Sequence, residues 1–164
     1  MPVTKYYPFE AESAPPEYRG VPHIAPELCI GCGACTNVCP PNAVIRIDDY
    51  KNGKREIVLD VGRCIRCARC EEVCPTGAIK LTNEFEVASD SREDHVEVVE
   101  LRLARCTSCG KVVDYTERQL EKVLSLIPRG ILEFDTMREK LPLCRECKRL
   151  RTAINATKHG EVWQ

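Results

Sequence analysis

A phrase of 16 residues occurs twice in this chain of 164: CIGCGACTNVCPPNAV from Cys29 and CIRCARCEEVCPTGAI from Cys64, with every cysteine matched 35 residues later. No other feature restricts the fold as much. Cys29, Cys32 and Cys35 fall three residues apart, as do Cys64, Cys67 and Cys70. A short curled loop of that spacing aims three thiolates at one centre and leaves a fourth ligand to be found. Cys39 and Cys74 each precede a proline, which lacks an N–H and fixes φ, so the chain must turn out of any short helix there. Gly31 and Gly33 allow close backbone approach and unusual φ in the first loop, whereas the second loop carries Arg66 and Ala68 at those places.

Eight such cysteines could in principle form disulfides or hold zinc. No secretory leader precedes them, and a doubled ligand spacing followed by proline is hard to reach by chance. Zinc modules present ligands in pairs, where this run presents three close together. Iron–sulfur clusters fit best. All twelve cysteines fall in four groups, which indicates a reducing compartment and metal ligation. A cytoplasmic location is the expectation, with no apolar run near the roughly 20 residues needed to span a bilayer. Any membrane association is then expected through a partner. A chain of this length has one ordinary domain or two small ones with thin cores, so metal sites must supply much of the stability. The net charge of −1 implies neither nucleic-acid affinity nor an acidic face, and suits a docked subunit better than a freely diffusing carrier steered by its field.

Residues 1–27 hold six prolines, Pro2, Pro8, Pro15, Pro16, Pro22 and Pro26, and cannot be helix or central strand. Two readings stand: a plain linker, or an extended arm over 1–21 in which Tyr6, Tyr7, Phe9 and Tyr18 anchor on a neighbouring subunit. Val44, Ile45 and Ile47, then Asp48 to Gly53, then Ile57, Val58 and Leu59 predict a β-hairpin closed by Asn52-Gly53. Ala78, Ile79 and Leu81 give a matching strand. Strand, loop, short helix and strand therefore occur twice, over a domain from residue 22 to 88. Arg63, Arg66 and Arg69 flank the second loop, either as solvated side chains or as charges that raise a cluster's potential. Residues 84–100 carry seven acids against Arg92 and read as a solvated linker leading into a strand, with His95 a surface histidine.

The third region, 89–164, opens with Val96, Val98, Leu101 and Leu103 as strand. Cys106 and Cys109 then form one C-x2-C knuckle, and Cys144 and Cys147 a second, with 34 residues between Cys109 and Cys144. Two such pairs make a four-thiolate tetrahedral site, with structural Zn2+ the usual occupant, mononuclear iron the rival and unused thiols the bland reading. The long insertion is expected to contain a helix: Thr116 to Gln119 is a capping box, Leu120, Val123, Leu124 and Ile127 share a face, and Pro128 and Gly130 end it. Leu150, Ala153, Ile154 and Thr157 predict a last helix stopping at Gly160, with His159 at its end. Residues 137–158 contain seven basic groups against Glu139 and Glu146. They balance a negative tetrathiolate or else offer a docking face.

The repeat resembles the bacterial-type two-[4Fe–4S] ferredoxins. The whole plan, with its hairpin insert, is similar to the two-cluster subunit of complex I and of the related membrane-bound hydrogenase and formate hydrogenlyase complexes. The resemblance implies crossed ligation, the fourth cysteine of each run serving the other cluster: Cys29, Cys32, Cys35 and Cys74 for cluster 1, and Cys64, Cys67, Cys70 and Cys39 for cluster 2. It implies an α+β fold of ferredoxin type; the extended arm and the zinc-ribbon-like or rubredoxin-like C-terminal subdomain, both read from the residues themselves, depart from the minimal ferredoxin. It implies also a peripheral position on the cytoplasmic face of a membrane, beside a neighbouring iron–sulfur or catalytic subunit, with a soluble ferredoxin as a candidate donor. No acid, base or nucleophile constellation suggests catalysis by the chain itself, so one-electron relay is the expected function. A free soluble ferredoxin, or a redox sensor that binds nucleic acid through the basic C-terminal part, are the alternatives.

Overall fold

The computed structural model describes residues 6–7, 9–10, 13–128 and 134–160, with their side chains except at 134 and 158–160. Pro2, Pro8, Gly130 and the side chains of Lys158 and His159 lie outside the described residues. The strands are β1 (Pro22–Ile24), β2 (Val44–Asp49), β3 (Lys54–Asp60), β4 (Ile79–Leu81), β5 (Val96–Arg105) and β6 (Val112–Thr116). The helices are α1 (Ala34–Val38), α2 (Arg69–Glu72), α3 (Glu117–Leu126), α4 (Phe134–Lys140) and α5 (Arg145–Gly160). Packing divides the chain into two compact units. One takes residues up to Leu28 with Ala34–Val44 and Leu59–Glu97; the other takes Cys29–Gly33, Ile45–Val58 and the chain from Val98 onward.

In the first unit β1 pairs antiparallel with β4, Ile24 opposite Ile79, and α1 packs on α2. Ile24, Ala43, Val44, Leu59, Ala78 and Ile79 are buried, so each copy of the repeat contributes to one small core. The proline-rich segment joins this unit through Gly20 and Val21, whose N–H groups donate to the carbonyls of Thr82 (2.9 Å) and Glu84 (3.1 Å). A Cβ at Gly20 would lie 2.2 Å from the Glu84 carbonyl oxygen, which explains glycine there. Tyr7 and Tyr18 meet Phe85, the latter edge-on at 6.4 Å between centroids. These two aromatics are used within the chain; Tyr6 and Phe9 stack on one another and stay exposed.

The second unit is built on a four-stranded sheet in the order β2-β3-β5-β6. The expected hairpin is present, but its turn differs from the two-residue Asn-Gly type, which needs positive φ at both residues. Only Gly53 has it, at 68°, and Asp49 closes a longer loop by accepting from the backbone N–H of Lys51 and Asn52. Val99, Leu101 and Leu103 alternate inward along β5. A register shift between Leu103 and Arg105 then buries Ala104 as well and turns the chain toward Cys106. Ala104, Cys106, Val113 and Leu143 form a second small core. The capping box at Thr116 and Gln119 is formed, and α3 stops at Leu126 because Ile127, ahead of Pro128, takes an extended conformation. Strand β6 and helix α4 were not expected from the sequence.

Candidate metal centres

The repeat is obeyed residue by residue in the backbone. Gly31 and Gly33 have φ of 68° and 76°, and Arg66 and Ala68, 35 positions on, have 54° and 64°. Asn42 and Gly77 form a third such pair, at 51° and 64°. Hydrogen bonds to sulfur repeat too: the Ala43 N–H donates to Cys39 Sγ and the Ala78 N–H to Cys74 Sγ, both at 3.2 Å. In the second loop the Arg66 N–H donates to Cys64 Sγ at 3.3 Å. Donors on thiolate sulfur are what a thiolate-held cluster requires of its surroundings.

Cys39, Cys64, Cys67 and Cys70 line a single cavity whose walls include Pro22, Val44, Leu59 and Leu81. All four cysteines expected around cluster 2 therefore line one largely apolar space, and the crossing cysteine comes from the other copy of the repeat. Burial pushes the Cys70 thiol up to about 11, with Cys64 and Cys39 adding to the rise, because a desolvated thiol beside other thiols resists taking a charge. At Cys74 burial also opposes ionisation, but N–H donors led by Ile79 and Thr76 leave its pKa lowered. Cys35 and Cys74 belong to the first unit and Cys29 and Cys32 to the second. Arg66, one of three arginines read beside this loop, donates from Nη1 to the Tyr18 hydroxyl at 2.7 Å, while Arg63 and Arg69 are exposed.

Cys106, Cys109, Cys144 and Cys147 come together, their four sulfurs all within 4.8 Å of one another. Cys109 and Cys144 sulfurs are 3.6 Å apart, close to the edge of about 3.8 Å that a tetrahedron with metal–sulfur bonds of about 2.3 Å would have. The Cys144 N–H donates to Cys106 Sγ (3.2 Å) and the Cys147 N–H to Cys144 Sγ (3.4 Å). Burial opposes ionisation of Cys106, yet donors led by the Cys144 N–H bring it down to about 6. Cys147, hydrogen-bonded to Cys144, is pushed up to about 12. The Cys106 thiolate forms readily while Cys109 and Cys147 resist ionisation, a pattern that a divalent cation relieves. Part of the basic run is engaged nearby: Lys148 lies over the Tyr115 ring, 5.4 Å from its centroid.

A third group was missed in the sequence. Arg55 is 1% exposed and uses every donor it has. Nε and Nη2 grip Asp48 at 2.5 and 3.2 Å, Nη2 reaches the Asp114 carbonyl at 3.0 Å, and Nη1 reaches the Gly31 carbonyl at 3.0 Å and Gln119 Oε1 at 3.4 Å. Its signal was present: along β3, Arg55 shares the buried face with Ile57 and Leu59.

The 4Fe-4S dicluster domain family matches residues 28–78 and again 63–114. Formate hydrogenlyase subunit 6 of Escherichia coli (strain K12) is 37% identical over 153 residues, 93% of this chain and 84% of that one. NADH-quinone oxidoreductase subunit I of Carboxydothermus hydrogenoformans is 41% identical over 58 residues, and that match spans 34% of this chain and only 41% of the relative. A chain of the membrane-bound sulfane sulfur reductase, an archaeal respiratory membrane complex, matches with a TM-score of 0.46 at 34% identity, covering 58% of this chain and 51% of that one. By the doubled cysteine motif and by identity along nearly its whole length, the chain belongs to the family of two-[4Fe–4S] ferredoxin-type subunits of complex I-related hydrogenase and formate hydrogenlyase complexes.

Proposed function

We infer that the chain is an electron-transfer subunit that relays single electrons through two [4Fe–4S] clusters within a membrane-bound, hydrogenase-like oxidoreductase related to complex I. The observation that carries this is the cavity in which Cys39 of one repeat faces Cys64, Cys67 and Cys70 of the other. Each cluster, when bound, supplies reversible one-electron oxidation and reduction with no bond to substrate made or broken. The chain's own part is to hold and to tune. Cys29, Cys32, Cys35 and Cys74 are the ligands proposed for cluster 1, and Cys64, Cys67, Cys70 and Cys39 those for cluster 2, all within a domain from residue 22 to 88. N–H donors such as those of Ala43, Ala78 and Arg66 stabilise the more negative state, and apolar walls keep water from the sulfurs.

The C-terminal region, 89–164, is proposed as a zinc-ribbon-like or rubredoxin-like subdomain with one ion on Cys106, Cys109, Cys144 and Cys147. Zn2+ is the occupant favoured by four thiolates in two C-x2-C pairs, with iron the alternative. Among the described residues no helix is long and apolar enough to cross a membrane. A peripheral place on the cytoplasmic face, against an iron–sulfur or catalytic neighbour and within reach of a soluble ferredoxin donor, suits such a chain. Affinity isolation of the native protein under anaerobic conditions, with iron, sulfide and zinc counted, tests the reading. Co-isolation of hydrogenase-like membrane subunits with about eight iron per chain is expected. The same iron on a solitary protein would make it a mobile carrier.

A further inference from the structure

We propose that the corner where β6 meets α3 is a clamp on the first cysteine loop, and that it sets the potential of the cluster this loop would ligate. The inference rests on the two-cluster reading above. Three consecutive carbonyls of the loop are each met by a side-chain donor. Arg118 Nη1 reaches the Cys29 carbonyl at 3.1 Å, Thr116 Oγ1 the Ile30 carbonyl at 2.6 Å, and Arg55 Nη1 the Gly31 carbonyl at 3.0 Å. Donors and acceptors all belong to the second unit.

The clamp is rigid for identifiable reasons. Thr116 is fully buried; besides donating to Ile30, its Oγ1 accepts from the Gln119 N–H at 3.1 Å, while Gln119 Oε1 accepts from the Thr116 N–H at 2.9 Å. The same Gln119 oxygen lies 3.4 Å from Arg55 Nη1, so the helix cap and the buried arginine brace each other. Gly31 leaves no room for adjustment: a Cβ there would sit 2.5 Å from Leu101 Cδ1 and 3.0 Å from Thr116 Cγ2.

Fixing the carbonyls fixes the amides. In a trans peptide the C=O and the following N–H point in opposite directions, so the clamp turns the N–H groups of Ile30, Gly31 and Cys32 away from the corner. The second loop indicates what such an N–H meets, because Arg66, the counterpart of Gly31, donates to Cys64 Sγ at 3.3 Å. Donors on thiolate sulfur favour a cluster's reduced state and raise its potential. Thr116, Arg118 and Arg55 are therefore positioning residues for cluster 1, acting through the loop backbone, and Thr116 and Arg118 give the C-terminal region a part in electron transfer.

The test is a redox titration of the full chain followed by electron paramagnetic resonance, on wild type and on Thr116→Val, Thr116→Ser and Arg118→Gln. A Cys64→Ser variant identifies the signal of cluster 2. Thr116→Val, which removes the hydroxyl, and Arg118→Gln, at an exposed site tolerant of change, are expected to lower the midpoint potential of the cluster 1 signal alone. Thr116→Ser, which keeps the hydroxyl, is expected to titrate as wild type. An unshifted cluster 1 signal in both variants overturns the clamp, as does an equal shift of both signals with a lowered melting temperature. Wild-type protein without two cluster signals overturns the underlying reading instead.

Discussion

At matched positions the first cysteine loop has Gly31 and Gly33 and the second has Arg66 and Ala68, yet all four residues have φ between 54° and 76°. A left-handed conformation costs an L-residue roughly 1–2 kcal/mol, so the second loop carries strain that the first avoids. The reason lies in what surrounds each. Gly31 is buried against Leu101, Thr116 and Arg55, and no side chain fits. Arg66 has room, and its guanidinium ties the loop to Tyr18. The same backbone is thus held from outside in one copy and by its own side chain in the other. The two copies share the backbone conformation at these positions, while each loop has a separate support.

Separate supports imply separate sensitivities. The largest contrast is expected on removing the ion proposed at Cys106, Cys109, Cys144 and Cys147 with a chelator, since metal binding in so small a unit is folding free energy. Hydrogen exchange should then accelerate across β5, β6, α3 and residues 29–33, with residues 64–70 keeping their protection; equal loss at both loops would break the comparison. Next is Arg55→Met. It leaves Asp48, gripped at 2.5 Å and 12% exposed, without its main partner, and a loss of about 3–5 kcal/mol is expected in urea denaturation. Gly31→Ala should cost about 1–3 kcal/mol from φ strain, with overpacking against Leu101 added. Ala68→Gly goes the other way. Relief of strain, less the entropic penalty of glycine, should leave the chain more stable by up to about 1 kcal/mol, read as a small rise in melting temperature. A loss there would mean that the second loop is not strained.

What the sequence revealed and what it hid divide along range of interaction. The hairpin, the capping box and the four C-terminal thiols each have a local pattern with its counterpart in the structure, and of the eight repeat cysteines Cys39, Cys64, Cys67 and Cys70 line one cavity. The turn at Asp49–Gly53 was misjudged because Asn-Gly suggests a tight reversal, whereas Asp49 accepts from two backbone amides and lengthens the loop. β6 has only Val112 and Val113 as apolar residues and gains its place from pairing with β5. α4 has only Phe134 and Met137 as apolar residues among Asp, Thr, Arg, Glu and Lys, too short a pattern to stand out by itself. Within the acidic stretch Glu97 ties distant segments of the chain: it accepts from the Ile24 N–H at 3.1 Å and meets His23 Nδ1 at 2.8 Å. Arg55, Thr116 and Arg118 lie 24, 86 and 89 residues from the carbonyls they hold. No motif spans such distances, although the alternation of β3 placed Arg55 on the inner face.

The central claim is that this chain carries two one-electron centres. Reductive titration of anaerobically purified full-length protein, with iron counted on the same sample, tests it most directly. The account predicts about eight iron and uptake of about two electrons per chain, the second electron bringing a magnetically distinct signal. Uptake of about one electron with about four iron, or iron bound without any reversible uptake, would contradict it.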